Sequence, residues 1–287
     1  MSKIVCLNGT FMPAAEARVS VFDRGFLMAD AVYEVTCVLD GRLVDYAGHL
    51  ARLKRSLGAL DLPLPMDEDA LLAAHRRLIE ANALHHGMIY LQVTRGDAGV
   101  RDFLYPDPAG VAPTLVMFAV EQPAAIADPT AQRGLSVVTL PDLRWARRDI
   151  KTVQLLYPSR ARTLAHRAGA DDAWLVQDGL VTEGSASNAW IVTGGQLVTR
   201  ALSPDILAGV TRAAIHRLAR EAGLQVVERA FTVAEAQAAD EAFITGATQF
   251  AVPVVRIDGQ PVGAGRPGPM ARRLHGLYLD EMRAQAI

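Results

Sequence analysis

The alternation of apolar and polar positions divides the chain into short strands and amphipathic helices. Residues 3–8 (KIVCLN) read as a strand, and the Asn8-Gly9 turn leads into a second short piece at Thr10–Met12, an opening hairpin. Ala31–Leu39 is β-rich, Asp40-Gly41 is the strongest hairpin turn in the sequence, and Arg42–Tyr46 is the expected return strand. His49, Leu50, Leu53, Leu57 and Leu60 recur at helical spacing and leave Arg52, Lys54 and Arg55 elsewhere on the circumference. After DLPLP, a second amphipathic helix is expected from Asp67 to about Leu84. Met88–Arg95 and Thr114–Val120 follow as strands, separated by the eighteen-residue loop GDAGVRDFLYPDPAGVAP, whose length points to function rather than mere connection.

Residues 121–134, EQPAAIADPTAQRG, are rich in Pro, Ala and polar residues and are the expected linker between a domain over 1–120 and one over 135–287. Beyond it come a strand at 135–140, the region of Lys151, and a helix at about 157–169. The strands AWLVQ and AWIVT then enclose DGLVTEGSASN, and GGQLVTR is a further strand. A helix from about Gly209 to Gly223, the strand QVVERAF, a short helix, the segments EAFITG and VPVVRIDG, and a helix of about Gly268 to Arg283 close the chain. There is no internal repeat, and the interleaving of strands and helices argues for an α/β or α+β fold.

At 287 residues, 51% of them hydrophobic, the chain is long enough for two domains with a large core. The formal net charge is −2 and the arginines are scattered among acids, so neither nucleic acid nor a membrane surface is an expected partner; a small-molecule substrate is. Cys6 and Cys37 fit neither a metal site nor a disulfide framework, which favours a reducing cytoplasm. The N-terminus lacks the apolar run of a signal peptide and no segment approaches a membrane span, so a soluble, unprocessed protein is expected. GAGRPG at Gly263–Gly268 matches a dinucleotide fingerprint formally, but Pro267 interrupts it and too little chain follows for a βαβ unit. His85-His86 has no third ligand nearby, so no metal is expected, and the serines of EGSASN form no nucleophile elbow.

Two residues stand out chemically. A lysine is ordinarily a solvated surface charge, but Lys151 lies beside a strand end among Ile150, Val153, Leu155 and Leu156, with Arg147 and Arg148 close in sequence. Partial burial and neighbouring cations both disfavour the ammonium form, which is how a lysine becomes a nucleophile. Glu183 precedes Gly184-Ser185-Ala186-Ser187-Asn188, a run small enough to let the backbone approach a flat ligand while the carboxylate pairs with a ring nitrogen. Such a lysine and carboxylate are the minimum constellation for pyridoxal phosphate. Its phosphate needs a site too: the unpaired amides of Gly209, Val210 and Thr211 open a helix whose dipole favours an anion, Thr211 adds a hydroxyl, and Arg52 adds a fork of donors.

The segments DAVYEV, HLARL, IYLQVTRG, RRDIKT, VTEGSASNAW, ILAGVTR and FITGATQFAVPV, in this order and at these separations, resemble the fold type IV pyridoxal-phosphate enzymes, most of all the D-amino-acid aminotransferases, over nearly the whole chain. The resemblance implies an N-terminal α/β sandwich, a C-terminal pseudo-barrel domain carrying the Schiff-base lysine, the cofactor between them, and a homodimer. It implies that Lys151 is that lysine, that Glu183 is the partner of the pyridine nitrogen, and that Arg52, Gly209, Val210 and Thr211 form the phosphate cup. Leu207 would pack on the ring, and Tyr33, Tyr90, Arg101 and Ser185 would meet the substrate. The activity implied is transfer of an amino group from a D-amino acid of the D-alanine kind to a 2-oxo acid. Two positions depart from the family pattern. The R-x-H of the loop is here Arg101-Asp102-Phe103, which removes one carboxylate donor, and Gly246-Ala247-Thr248 leaves Thr248, or the amides at Ala247 and Thr248, to complete the cup. An (R)-selective amine aminotransferase, a branched-chain aminotransferase, an aminodeoxychorismate-type lyase and a non-catalytic binder of pyridoxal phosphate or a phosphometabolite remain open beside it.

Overall fold

A computed structural model describes residues 3–122 and 133–287. Most of the expected linker, residues 123–132, lies outside the described residues. By Cα packing the chain forms two compact units. The first is the described chain before residue 123 together with Ile150–Gln154 and Gln285–Ile287; the second is the remainder.

The first unit is built on an antiparallel six-stranded sheet in the order β2-β1-β6-β5-β3-β4. Its strands are β1 (Ile4–Leu7), β2 (Thr10–Pro13), β3 (Ala31–Leu39), β4 (Arg42–Leu43), β5 (Gly87–Thr94) and β6 (Thr114–Glu121). Side chains alternate across such a sheet, so Val32, Glu34, Thr36 and Val38 of β3 share a buried face with Ile89, Leu91 and Val93 of β5. Tyr33 and Tyr90 stand on the opposite, half-buried face. The helices Tyr46–Gly58 and Glu68–Ala81 bury His49, Arg52, Leu53, Ser56 and Leu57, and Leu71, Ala74, His75 and Leu78. Asp67 caps the second helix by accepting from Ala70 N at 2.8 Å.

Two expectations are corrected here. The return strand Arg42–Tyr46 shrinks to Arg42–Leu43, because Asp45 turns into the left-handed region at φ 51° and Tyr46 already opens the helix. Arg52, expected away from the apolar stripe, is buried among it. The helix Arg24–Met28, one and a half turns long, is too short for a periodic signal and was not expected from the sequence.

The second unit is a nine-stranded sheet curled into a half-barrel, in the order β12-β11-β10-β13-β14-β7-β8-β9 with β15 on β14. Its strands are β7 (Leu135–Pro141), β8 (Asp172–Gln177), β9 (Leu180–Gly184), β10 (Asn188–Thr193), β11 (Gln196–Thr199), β12 (Val226–Glu228), β13 (Glu241–Gly246), β14 (Phe250–Ile257) and β15 (Gln260–Pro261). QVVERAF thus contributes three strand residues, and LVTEG is a strand in its own right. The inside is packed by Leu135, Val137, Trp174, Val181, Ile191, Phe231, Ile244 and Val252. Burial of such side chains stabilises by roughly 1.5–3 kcal/mol each. The helices Leu156–Arg167 and Val210–Glu221 belong to this unit, as does Pro269–Gln285 except for its last residue.

The C-terminal domain was expected to carry Lys151, and the packing differs. Lys151 lies in Ile150–Gln154, which joins the first unit by backbone hydrogen bonds. Tyr33 N donates to Lys151 O at 3.0 Å, Val153 N donates to Ala31 O at 3.1 Å, and Thr152 bridges Val32. Lys151, Thr152 and Val153 thus run antiparallel beside the N-terminal end of β3, which β4, paired only with Val38 and Leu39, leaves uncovered.

Candidate active site

Lys151 is held by its backbone. Its carbonyl is bound to Tyr33 as above, and its amide donates to Ser56 Oγ at 3.2 Å. Ser56 lies one turn beyond Arg52 on the buried face of the same helix, so one helical face carries both the anchor of the lysine and the candidate phosphate arginine. The amine is less constrained. Lys151 Nζ stands 4.1 Å from the centre of the Tyr33 ring and has no hydrogen bond or ion pair among the described residues. The cations expected beside it are engaged with other groups. Arg147 is paired with Asp149 through two contacts of 2.9 Å, and Arg148 donates to Gln177 Oε1 at 2.7 Å.

Arg52 is oriented by a buried carboxylate. Its Nε donates to Glu34 Oε1 at 2.7 Å and its Nη2 to Glu34 Oε2 at 2.8 Å, while His49 Nδ1 lies 2.8 Å from Glu34 Oε2. Burial alone would raise the Glu34 carboxyl; the charge and hydrogen bonds of Arg52, with those of His49, outweigh it and hold the group well below the usual carboxylate range. The guanidinium is therefore fixed in plane before any anion arrives. Tyr33 stacks on Tyr90 with centroids 5.7 Å apart, and Tyr90 on Phe118 at 4.8 Å, so an aromatic shelf lies beside the amine. Burial pushes the Tyr90 hydroxyl up to about 12, and it donates to Gln92 Oε1 at 2.8 Å.

In the second unit, Glu183 is the penultimate residue of β9 and is almost wholly buried. Its Oε2 accepts from Asn188 Nδ2 at 3.0 Å and from Leu207 N at 3.1 Å, and its Oε1 accepts from Arg144 Nη1. Arg144 is also clamped by Asp142, with Nε to Oδ1 at 2.9 Å and Nη2 to Oδ2 at 2.6 Å, and Asp142 receives Thr182 Oγ1 at 2.7 Å. Two carboxylates thus flank one guanidinium and are driven apart. Burial pushes Glu183 up against the pull of Arg144 and the Leu207 amide. For Asp142, burial is opposed and outweighed by Arg144 and Thr182, so it sits below its ordinary value. A carboxylate with raised proton affinity suits a partner that shares a proton with it.

Asn188 ties this carboxylate to the anion end of the unit. Its Nδ2 also donates to Leu207 O at 2.9 Å, and a Cβ on Gly209 would lie 2.1 Å from its Oδ1. Only glycine allows that approach. Gly209 precedes the helix Val210–Glu221 without a side-chain cap, leaving the amides of Val210 and Thr211 facing outward at the positive end of the helix. Thr211 Oγ1 lies 3.5 Å from the Tyr278 hydroxyl. Ala247 and Thr248 form the partly buried turn between β13 and β14, and a Cβ on Gly246 would lie 3.8 Å from Ser187 Cβ. The Ser187 hydroxyl is buried and has no partner among the described residues.

Two further residues expected at the substrate have these surroundings. Ser185 donates its hydroxyl to the buried Asp172, so that hydroxyl is spent inside the unit. Arg101 lies in the exposed loop with its guanidinium 5.1 Å from the centre of the Phe103 ring, and it makes no hydrogen bond to Tyr33 or Tyr90. Sequence reasoning missed Glu34, His49 and Ser56 in the first unit, and Asp142, Arg144 and Asn188 in the second. The available signal was a charged residue at a buried parity of β3, and an asparagine inside the small-residue run.

The first unit thus holds a lysine amine without an ion pair and an oriented guanidinium, and the second holds a buried carboxylate and an uncapped helix start. Residues 31–257 match the amino-transferase class IV family model, and the chain belongs to that family. It is 38% identical over 272 residues to the D-alanine aminotransferase of Bacillus licheniformis, covering 94% of each chain, and 35% identical to that of Staphylococcus aureus strain MSSA476 over the full length of both. The fold is also that of the Escherichia coli branched-chain amino acid aminotransferase, with TM-score 0.89, 24% identity, and coverage of 98% of this chain and 95% of that one. A T.th. branched-chain amino acid aminotransferase complexed with N-(5'-phosphopyridoxyl)-L-glutamate is similar at TM-score 0.88 and 26% identity, over 99% of this chain and 95% of that one.

Proposed function

We propose that this aminotransferase uses pyridoxal phosphate to move an amino group from a D-amino acid of the D-alanine kind to a 2-oxo acid, with Lys151 as the amine that holds the cofactor. The observation that carries the reading is the state of Lys151: its backbone is pinned by Tyr33 and Ser56, while its Nζ has no ion pair. The residues present fit the cofactor. Arg52 and the amides at Val210 and Thr211 supply donors for a phosphate, Glu183 supplies a buried acceptor for a ring nitrogen, and Ser187 has an unpartnered buried hydroxyl. When bound, pyridoxal phosphate supplies an aldehyde for the amine and a ring that accepts electrons.

The chain's own residues do the rest. Glu183, held by Asn188 and Arg144, keeps the ring nitrogen protonated. Lys151 Nζ, whose amine has no ion pair, would take and return the substrate α-proton. Leu207, whose N–H donates to Glu183 Oε2 and whose C=O accepts from Asn188 Nδ2, would present its side chain to the ring, and the turn at Ala247 and Thr248 would complete the phosphate donors. Tyr33, Tyr90 and Arg101 meet the substrate.

The D-amino-acid preference is supported by the relatives named D-alanine aminotransferase. A second reading, an (R)-selective amine aminotransferase, is favoured by Phe103, which stands 77% exposed in place of the carboxylate donor of the R-x-H pattern. Steady-state assays with D-alanine, L-alanine and (R)-1-phenylethylamine as donors decide. Turnover of D-alanine far above the other two is expected, and preference for the amine establishes the second reading instead.

We further infer a homodimer, in keeping with the exposed Val21, Phe22, Phe26, Phe103 and Leu104, and sedimentation tests it. Cys6 and Cys37, both free and buried, are in keeping with a cytoplasmic protein. Among the described residues no helix is long and apolar enough to cross a membrane.

A further inference from the structure

Arg24 opens the short helix Arg24–Met28, yet its side chain is only 3% exposed. Asp23 caps that helix, accepting from Gly25 N at 2.8 Å, and also receives Thr94 Oγ1 at 2.9 Å, which docks the helix on the end of β5. Gly25 permits the docking: a Cβ there would lie 2.4 Å from Thr94 Cγ2. Arg24 Nε then donates to Asp30 Oδ2 at 2.8 Å, and the same oxygen receives Arg95 Nε at 2.8 Å. Two buried guanidiniums share one carboxylate oxygen, so their remaining donors need other acceptors.

Those acceptors are backbone carbonyls. Arg95 donates to Leu60 O at 2.7 Å and Asp61 O at 3.3 Å, just past the end of the helix that carries Arg52. Arg24 Nη1 donates to Asp102 O and to Leu104 O, the latter at 3.2 Å, and these two carbonyls bracket Phe103. The Tyr105 ring closes the cluster, 3.6 Å from the Arg95 guanidinium carbon and 5.7 Å from that of Arg24. Val100, Phe103 and Leu104 are themselves exposed, so apolar burial does not fix this part of the loop.

We propose that Arg24 is a positioning residue for substrate selection: it holds residues 102–104, and with them Phe103 and the adjoining Arg101, in one conformation. The anchoring stands on the contacts above, whereas its effect on substrate choice rests on the reading that assigns Arg101 to the substrate.

The test uses the holoenzyme and the variant Arg24→Lys. A lysine keeps a cation for Asp30, but one ammonium lacks the fork that reaches Asp30 and both carbonyls together. Hydrogen exchange should accelerate across residues 97–105 while the amides of β3 and β5 keep their wild-type rates. The KM for D-alanine should rise about tenfold with kcat within about twofold, and the kcat/KM ratio of D-alanine to a bulky D-amino acid should change. Tyr105→Phe, which keeps the stacked ring, should match the wild type in both readouts, and Tyr105→Leu should follow Arg24→Lys. Wild-type exchange rates in Arg24→Lys overturn the anchoring. Faster exchange with an unchanged KM and donor ratio, or an equal loss for every donor through kcat, overturns the role in selection. A wild-type holoenzyme that turns over no amino donor defeats the functional reading and the selection role together, and the exchange data still decide the anchoring.

Discussion

Asn188 donates to Glu183 Oε2 at 3.0 Å while its own Oδ1 faces Gly209 at a distance that admits no side chain there. One amide thereby fixes both the buried carboxylate and the start of the helix Val210–Glu221. The consequence is mechanical: a change at Gly209 reaches Glu183 through Asn188. Gly209→Ala should destabilise the protein by about 1–3 kcal/mol, the scale of overpacking. It should also weaken cofactor retention. Thermal unfolding of the apo and holo forms checks both, and an unchanged cofactor affinity would show that Asn188 does not transmit the displacement.

Glu183→Gln keeps an acceptor for Leu207 N but gives up the negative charge. With no negative charge left to face the ring nitrogen, kcat/KM should fall by about two orders of magnitude, the scale of losing one preorganised electrostatic contact. Covalent attachment of the cofactor at Lys151 should persist. Activity within about threefold of wild type would remove Glu183 from the chemistry.

Glu34→Gln removes the carboxylate charge that faces the Arg52 guanidinium. Removing one member of a buried pair costs roughly 3–5 kcal/mol. Urea unfolding should show a loss on that scale, and the cofactor should dissociate more readily because Arg52 is no longer fixed in plane. Arg52→Lys tests the same point from the other side, since an ammonium cannot make the paired contact with Glu34.

The lysine and the glutamate stood out as candidates in the sequence because each sits in a short run of distinctive composition. Arg52 was legible as a candidate but its burial was not. A helical pattern counts an arginine as polar, and its partner Glu34 becomes visible only when the alternation of β3 is combined with the face of the helix it meets. The attachment of Lys151 to the first unit depends on hydrogen bonds to Ala31 and Tyr33, more than a hundred residues away in the chain, and no local pattern encodes them. Asn188 lay inside a quoted segment, but its function follows from the chain reversal that returns β10 beside β9, with Gly184 N donating to Ser187 O at 2.7 Å. The short strand Arg42–Leu43 was over-extended because the left-handed turn at Asp45 falls on a residue that reads as an ordinary strand end.

His75 gives the fold a pH dependence separate from the active site. It is buried against Leu71 O, at 2.8 Å from Nδ1, and the Tyr46 ring. Burial pushes it down to about 4, partly offset by the Leu71 hydrogen bond. The unfolded chain therefore takes up a proton on this group at a higher pH than the folded chain does. Its contribution is fully present above about pH 6.5 and is lost as the pH falls toward 4, a decrease of about 3 kcal/mol. Urea midpoints measured from pH 7 down to 4.5 should fall along that course, with a shallower slope in His75→Leu. Parallel slopes in the two proteins would assign the acid sensitivity to other groups.

The central claim is that Lys151 is the cofactor's covalent partner, and the chain contains only two other lysines, Lys3 and Lys54, so it can be tested residue by residue. The direct measurement is borohydride reduction of the holoenzyme followed by peptide mass mapping. A phosphopyridoxyl group is expected on Lys151 and none on Lys3 or Lys54, with no label in Lys151→Ala. Label on either other lysine, or undiminished label in Lys151→Ala, would contradict it.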